Sequence, residues 1–248
     1  MSEKAFGIDI SSYQYIDGKL IDFDRMKAGG KVKFVACRAG ISWGYTDKWF
    51  ARNWSELRRI DMPRMAYHVV YFDEDAKKQA DHFLKLVDLR EGEKLVLDLE
   101  LDDGLTRKTI TETTVDLVEE IKRATGNWPI LYSRTSWINE FLMQEELPRD
   151  IELWLAQYLY PKPYPLFTDE YPSPPMLPGL LKNWKIHQTS EKGCGEDVGV
   201  GSYYCDYDRF NGDETALMMW FGKPVAENTL ENRILGLEKR VSFLEQKM

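Results

Sequence analysis

Short apolar runs alternate along the chain with longer stretches in which apolar residues recur every three or four positions. The runs at 5–10, 33–38, 65–71, 94–100, 129–132, 151–157, 184–188 and 202–207 predict strands. They are brief, rich in branched and aromatic residues, and bounded by Gly, Pro or charge. The segments 22–29, 49–59, 75–86 and 109–125 predict helices. In the third, Ala76, Ala80, Phe83, Leu84 and Val87 fall on one face, with Asp75 placed to cap its start; Gly126 is placed to end the fourth. Strand–helix alternation implies parallel strands joined by right-handed crossovers, and eight strands suggest closure. The expected fold is α/β, an irregular TIM-like (β/α) barrel with reduced helices in the second half, after Gln144.

Two segments depart from this pattern. The stretch 161–178 holds seven of the eleven prolines, which excludes helix and central strand. Strand-like runs on both sides make it an elaborated barrel loop in preference to a linker between domains. Near the C-terminus, Leu230, Ile234, Leu237, Val241, Leu244 and Met248 are spaced as a heptad seam, with Arg233 and Arg240 at g and Glu238 and Glu245 at e. The chain therefore divides into a catalytic barrel, 1–222, and a short C-terminal coiled-coil helix, 223–248, expected to join two copies (or three) through 227–248. The same pattern suits an amphipathic helix docked on its own barrel. The seam is under three heptads and contains Gly236, so such a helix alone is marginal.

Composition narrows the classes. A hydrophobic fraction of 43% over 248 residues excludes disorder, and a net charge of −8 disfavours nucleic acid, which is bound through Lys and Arg. No apolar run is long enough to span a bilayer, so no membrane partner is expected. Cys37, Cys194 and Cys205 have no metal-ligand spacing. The first predicted strand begins too early to leave room for a signal peptide.

The candidate chemistry lies at strand ends. In Lys94-Leu95-Val96-Leu97-Asp98-Leu99-Glu100 an apolar strand runs into two acids one residue apart. Strand periodicity places them on one face, about 7 Å apart along the backbone. Barrel enzymes carry their sites at the C-terminal ends of strands. Two neighbouring carboxylates disfavour each other's ionisation, so one stays protonated near neutrality, as a glycosidase acid requires. Acids that simply meet water at a strand end are the alternative. Asp9, ending the first strand, and Asp206, in the last, can converge on this pair because first and last strands are neighbours in a closed barrel. Four carboxylates suit acid–base work or a divalent cation. The acid–base reading is preferred, without metal or cofactor, because no His joins the cluster and aromatics suited to sugar rings do. Tyr67, Tyr132 and Trp154 are candidate stacking residues, and Gln157 and Gln188 candidate donors to sugar hydroxyl or acetamido groups. His68 and His187 read as core histidines; Trp184 is a further stacking candidate, and a place in the core is the alternative for it and for Trp154.

These residues carry a resemblance. Gly7-Ile8-Asp9-Ile10-Ser11-Ser12-Tyr13-Gln14 is similar to the opening motif of family 25 glycoside hydrolases, the N-acetylmuramidase type of lysozyme. Ala66-Tyr67-His68 with Asp75-Ala76 and Gln79 to Leu84, Asp98-Leu99-Glu100, Ile130 to Ser133, Leu153 to Tyr158 and Asp206 to Phe210 resemble later motifs in order. The resemblance implies hydrolysis, with retention, of the β-1,4 bond between N-acetylmuramic acid and N-acetylglucosamine in peptidoglycan. It implies Glu100 as general acid/base, Asp98 as its assistant at the acetamido group or the developing positive charge, and Asp9 and Asp206 lining the groove. A leaderless enzyme of this kind is expected to reach the wall after release from the cytoplasm, as a bacteriophage endolysin does, or by an unidentified route of secretion. Departures are Asp208, where the family usually has Asn, and His187-Gln188-Thr189, where it usually has Trp-Gln-Tyr. A chitinase-like hydrolase and a non-catalytic wall-binding protein are the rival expectations.

Overall fold

The computed structural model describes residues 4–15, 18–159 and 173–224. In chain order they form β1 (Phe6–Ile10), α1 (Phe23–Gly29), β2 (Phe34–Ile41), β3 (Tyr45–Thr46), α2 (Phe50–Arg59), β4 (Arg64–Val69), α3 (Ala76–Val87), β5 (Lys94–Asp98) and α4 (Arg107–Thr125). There follow β6 (Ile130–Ser133), α5 (Thr135–Phe141), β7 (Leu153–Ala156), β8 (Trp184–Cys194), β9 (Tyr204–Phe210) and α6 (Glu214–Trp220). Local chemistry sets several ends. The side chains of Asp22, Asp75, Thr106 and Asp213 accept from the backbone N–H of Arg25, Lys78, Thr109 and Ala216 at the starts of α1, α3, α4 and α6. Gly30 and Gly126 close α1 and α4 in the left-handed conformation.

The strands run β1-β9-β8-β7-β6-β5-β4-β2-β3, and a β1–β2 pairing closes the barrel. From β1 through β8 the barrel neighbours are parallel, as the alternation predicts. The last strand corrects that expectation, because β9 is antiparallel to both β8 and β1. The link 195–203 is shorter than the dozen or more residues a crossover needs, so β8 and β9 form a hairpin. The expected thinning of helices is present: α4 has 19 residues, α5 and α6 only 7 each. Neither of those two, nor β3, is marked strongly enough in the sequence to be predicted.

Alternation along each strand separates two apolar layers. Ile8, Val35, Cys37, Ala66, Leu95, Leu97, Leu131, Leu153 and Leu155 face the helices. Phe34, Met65, Val96, Ile130, Ile186 and Phe210 fill the barrel interior, and Leu217 and Phe221, on and just after α6, close its floor. Gly7 belongs to this interior, where a Cβ would lie 2.4 Å from the ring of the fully buried Phe34. His68 and His187 are fully buried, His68 stacked on Phe83 at 5.0 Å.

Met176 and Leu177, in the described part of the proline-rich stretch, lie in the loop between β7 and β8, where Gln157 and Thr135 hydrogen-bond Met176. Most of that stretch, and the heptad segment 227–248, lie outside the described residues. Among the described residues no helix is long and apolar enough to cross a membrane.

Candidate active site

The β5 ladder fixes where its acids point. Val70 N–H donates to the Asp98 carbonyl at 3.0 Å and Leu99 N–H to the Tyr132 carbonyl at 2.9 Å, so extended pairing continues one residue past the strand. Leu95, Leu97 and Leu99 are thereby committed to the helical layer. Val96 and Asp98 face inward, and Glu100 lines the same cleft as Asp98.

That cleft has a volume of about 660 Å³ and opens at the C-terminal ends of the parallel strands. Asp9, Asp98, Glu100 and Asp206 line it, together with Tyr67, Tyr132, Trp154 and Gln188. The antiparallel direction of β9 brings Asp206 to the mouth, directly opposite Asp9, and puts Asp208 opposite Gly7 one layer deeper. Tyr132 Oη donates to Gln188 Oε1 at 2.8 Å, which turns the Gln188 amide so that Nε2 donates to Asp9 Oδ2 at 2.8 Å. Trp154 Nε1 donates to Asp208 Oδ1 at 2.8 Å, while Asp208 Oδ2 has no partner among the described residues. The Trp154 ring is held edge-on by Tyr132, with centroids 4.7 Å apart.

Burial and crowding shift these acids upward. Asp9 is raised to about 6, chiefly by burial; hydrogen bonds from Gln188 and Asp206 oppose the rise, the Glu100 charge adds to it, and Arg38 offsets it. Asp98 stands well above the ordinary carboxylate range because of burial, with Glu100 and Asp9 adding to the effect. Its Oδ1 has no hydrogen-bond partner among the described residues. Asp206 and Asp208 are also well above that range, each first through burial and then through the charge of Asp9. Glu100, half-buried at the rim, is raised by burial and pulled back by Arg134.

Two candidates do not line the cleft, Trp184, which packs against the helical layer, and Gln157. Gln157 Oε1 accepts from Met176 N–H at 2.7 Å and its carbonyl faces His187 Nε2 at 2.7 Å, so it braces the β7–β8 loop. The reason is periodic: Trp154 and Ala156 face inward, which turns the next odd position away. Sequence reasoning overlooked Arg38 and the rim tyrosines Tyr158, Tyr203 and Tyr204. For Arg38 a signal existed, an inward strand position carrying a charge between Phe34 and Ala36 on one side and Gly40 on the other.

The family described as Glycosyl hydrolases family 25 matches residues 8–198. YegX of Escherichia coli O157:H7 is 28% identical over 218 residues, covering 85% of this chain and 71% of that protein. Among solved structures, the bacterial lysozyme from Streptomyces coelicolor superposes with a TM-score of 0.72 at 22% identity, covering 90% of this chain and 100% of that one. The family GH25 lysozyme from Aspergillus fumigatus gives 0.69 at 24%, covering 88% and 98%.

Proposed function

Because the chain belongs to glycosyl hydrolases family 25 and is a glycoside hydrolase, we propose that it is a muramidase acting on bacterial peptidoglycan. The bond cleaved is the β-1,4 link from N-acetylmuramic acid to N-acetylglucosamine. Protonated Glu100 gives its proton to the glycosidic oxygen as the C1–O bond breaks, and the sugar anomeric carbon acquires positive charge. Water then adds to C1 on the face that retains configuration and returns its proton to Glu100. Asp98 assists from beneath, at the acetamido group or the developing charge, and Asp9 and Asp206 line the groove. Tyr67 and Tyr132 form the aromatic wall against which the sugar lies, Trp154, 2% exposed, backs that wall, and Gln188 is a polar contact.

The observation that carries this reading is the division of labour on one strand face. Asp98 is 7% exposed, and Glu100, two positions on, is half-exposed at the mouth of the same cleft. This difference supports Glu100 as the carboxyl that exchanges protons with substrate and water, and Asp98 as the one that acts inside a desolvated pocket. Replacing Glu100 by Gln preserves shape while removing the proton; cleavage, measured as new reducing ends from purified peptidoglycan, falls about 10²- to 10⁴-fold with an unchanged circular dichroism spectrum. Cleavage at the wild-type rate by Glu100→Gln would refute the role. Reducing ends from chitin but not from peptidoglycan would favour a chitinase-like enzyme, and binding to peptidoglycan without new ends a wall-binding protein.

The heptad seam supports a second element of the reading, pairing of two copies through 227–248 by the a/d residues and the Arg233–Glu238 and Arg240–Glu245 charge pattern. α6, the last described helix, packs on the barrel floor, at the end away from the cleft.

A further inference from the structure

Among the described residues lining the cleft, Arg38 is the only cation, against Asp9, Asp98, Glu100, Glu191 and Asp206. It stands at an inward position of β2, in register with Tyr67 of β4, and is 9% exposed. One edge of its guanidinium is occupied. Nε donates to Asp47 Oδ2 at 3.0 Å and Nη2 to Ser12 Oγ at 2.9 Å, and Nη2 also lies 3.0 Å from that Asp47 oxygen. Asp47 is itself held: its Oδ2 accepts from Ser12 N–H and its Oδ1 from Trp49 N–H, both at 2.9 Å. The guanidinium carbon lies 5.1 Å from the Tyr13 ring centre and 6.0 Å from that of Tyr45, within reach of cation–π attraction. Nη1 makes no hydrogen bond to another described residue.

A guanidinium pinned along one edge and flanked by rings has already lost its rotamer freedom, so a further hydrogen bond costs little ordering. Nη1 keeps its N–H donors for one more acceptor, and a charge-assisted bond from it to a carboxylate is stronger than a neutral bond. An anion placed elsewhere in this cleft meets acids. Chitin-like glycan carries no carboxylate, whereas the glycan proposed above carries them only on its muramyl sugars, through the lactyl group or the attached peptide. We propose that Arg38 is the substrate-binding residue that takes a carboxylate borne by a muramyl sugar, and so sets which way round the strand lies across Glu100. This rests on the peptidoglycan reading.

The test compares kcat/KM on three sets of glycan oligomers of equal length: peptide-free with lactyl carboxylates, the same after methyl esterification, and peptide-bearing with the peptide carboxylates free or amidated. The wild-type protein prefers one free-acid form over its capped counterpart by about tenfold or more, the size of one charge-assisted hydrogen bond. Preference for the unesterified peptide-free oligomer identifies the lactyl group, and preference confined to the peptide-bearing pair identifies the peptide. In Arg38→Met the preference collapses to within about twofold. In Arg38→Lys, which keeps a charge beside Asp47 but lacks a separate nitrogen for the ligand, it is intermediate. The wild-type comparison stands even if a variant fails to fold. A wild-type enzyme indifferent to capping, or a preference that survives both substitutions, overturns the assignment and leaves Arg38 as a brace for Asp47. No cleavage of any of the oligomers overturns the peptidoglycan reading itself, and the assignment with it.

Discussion

Asp208 offers a quantitative check on the electrostatics of the barrel interior. It is fully buried, accepts one hydrogen bond from Trp154, and lies close enough to Asp9 for that charge to push its own ionisation upward. An acid whose folded value lies above its unfolded value is protonated in the folded state when the unfolded chain has already released the proton. Folding then takes up a proton, and stability falls as pH rises from the unfolded carboxylate value, about 3.9, towards the folded one, by about 1.4 kcal/mol per pH unit. Below the unfolded value the penalty is absent, and above the folded value it is constant. Asp208→Asn keeps the acceptor for Trp154 Nε1 and removes the titration. Its new amide protons sit where Oδ2 has no partner, a pH-independent cost of about 1–3 kcal/mol. Urea unfolding of both proteins at pH 5 and pH 6 isolates the two effects. The variant gains on the wild type over that unit of pH, by up to about 1.4 kcal/mol, whatever the offset at pH 5. Penalties from Asp9, Asp98 and Asp206 are present in both curves and cancel as long as Asp208 is neutral. Parallel pH dependences would show that Asp208 is ionised in the fold, and would refute the account of this interior as a place where acids stay neutral.

Three other expectations are independent of that one. Gly7→Ala drives a methyl into the Phe34 ring in the closed interior and destabilises by about 1–3 kcal/mol or more, read as a fall in Tm of several degrees; an unchanged Tm would contradict the packing. Gln188→Leu removes the N–H that favours ionised Asp9, so the Asp9 titration, near 6 in the wild type, moves to higher pH by NMR; a downward shift would show that the bond favours the neutral form. Light scattering of the full chain should give a mass about twice that of its monomer, and a version ending before Glu227 a monomeric mass; equal monomeric masses would remove the pairing proposed for the heptad segment.

Much of the fold was legible because its causes are local. Alternation in 94–100 assigns leucines to one face and Asp98 and Glu100 to the other with no knowledge of neighbours, and Asp75 marks a helix start through its own hydrogen bond. Where local signals are weak, legibility failed. At seven residues α5 and α6 carry too few turns for a clear period, and neither has both the capping acid and the closing glycine that bracket the equally short α1. Gln157 looked like a strand-end donor because the predicted run reached it, yet β7 ends at Ala156 and the side chain turns to the loop.

What the sequence determined by itself, then, is the repertoire: the eight barrel strands, most of the helices, the face each acid occupies, and through the ordered motifs the family. Only the tertiary structure decided who meets whom. The short link after β8 reverses β9, and that reversal sets Asp206 opposite Asp9 and sinks Asp208 beneath them. It also places Arg38 among the acids, since a charge on β2 has no local relation to carboxylates on β1, β5 and β9. Periodicity fixes direction within a strand, whereas burial and charge in this cleft depend on contacts between residues as far apart as Asp9 and Gln188. Closure of the barrel creates those contacts, and with them the shifted acids on which the proposed chemistry depends.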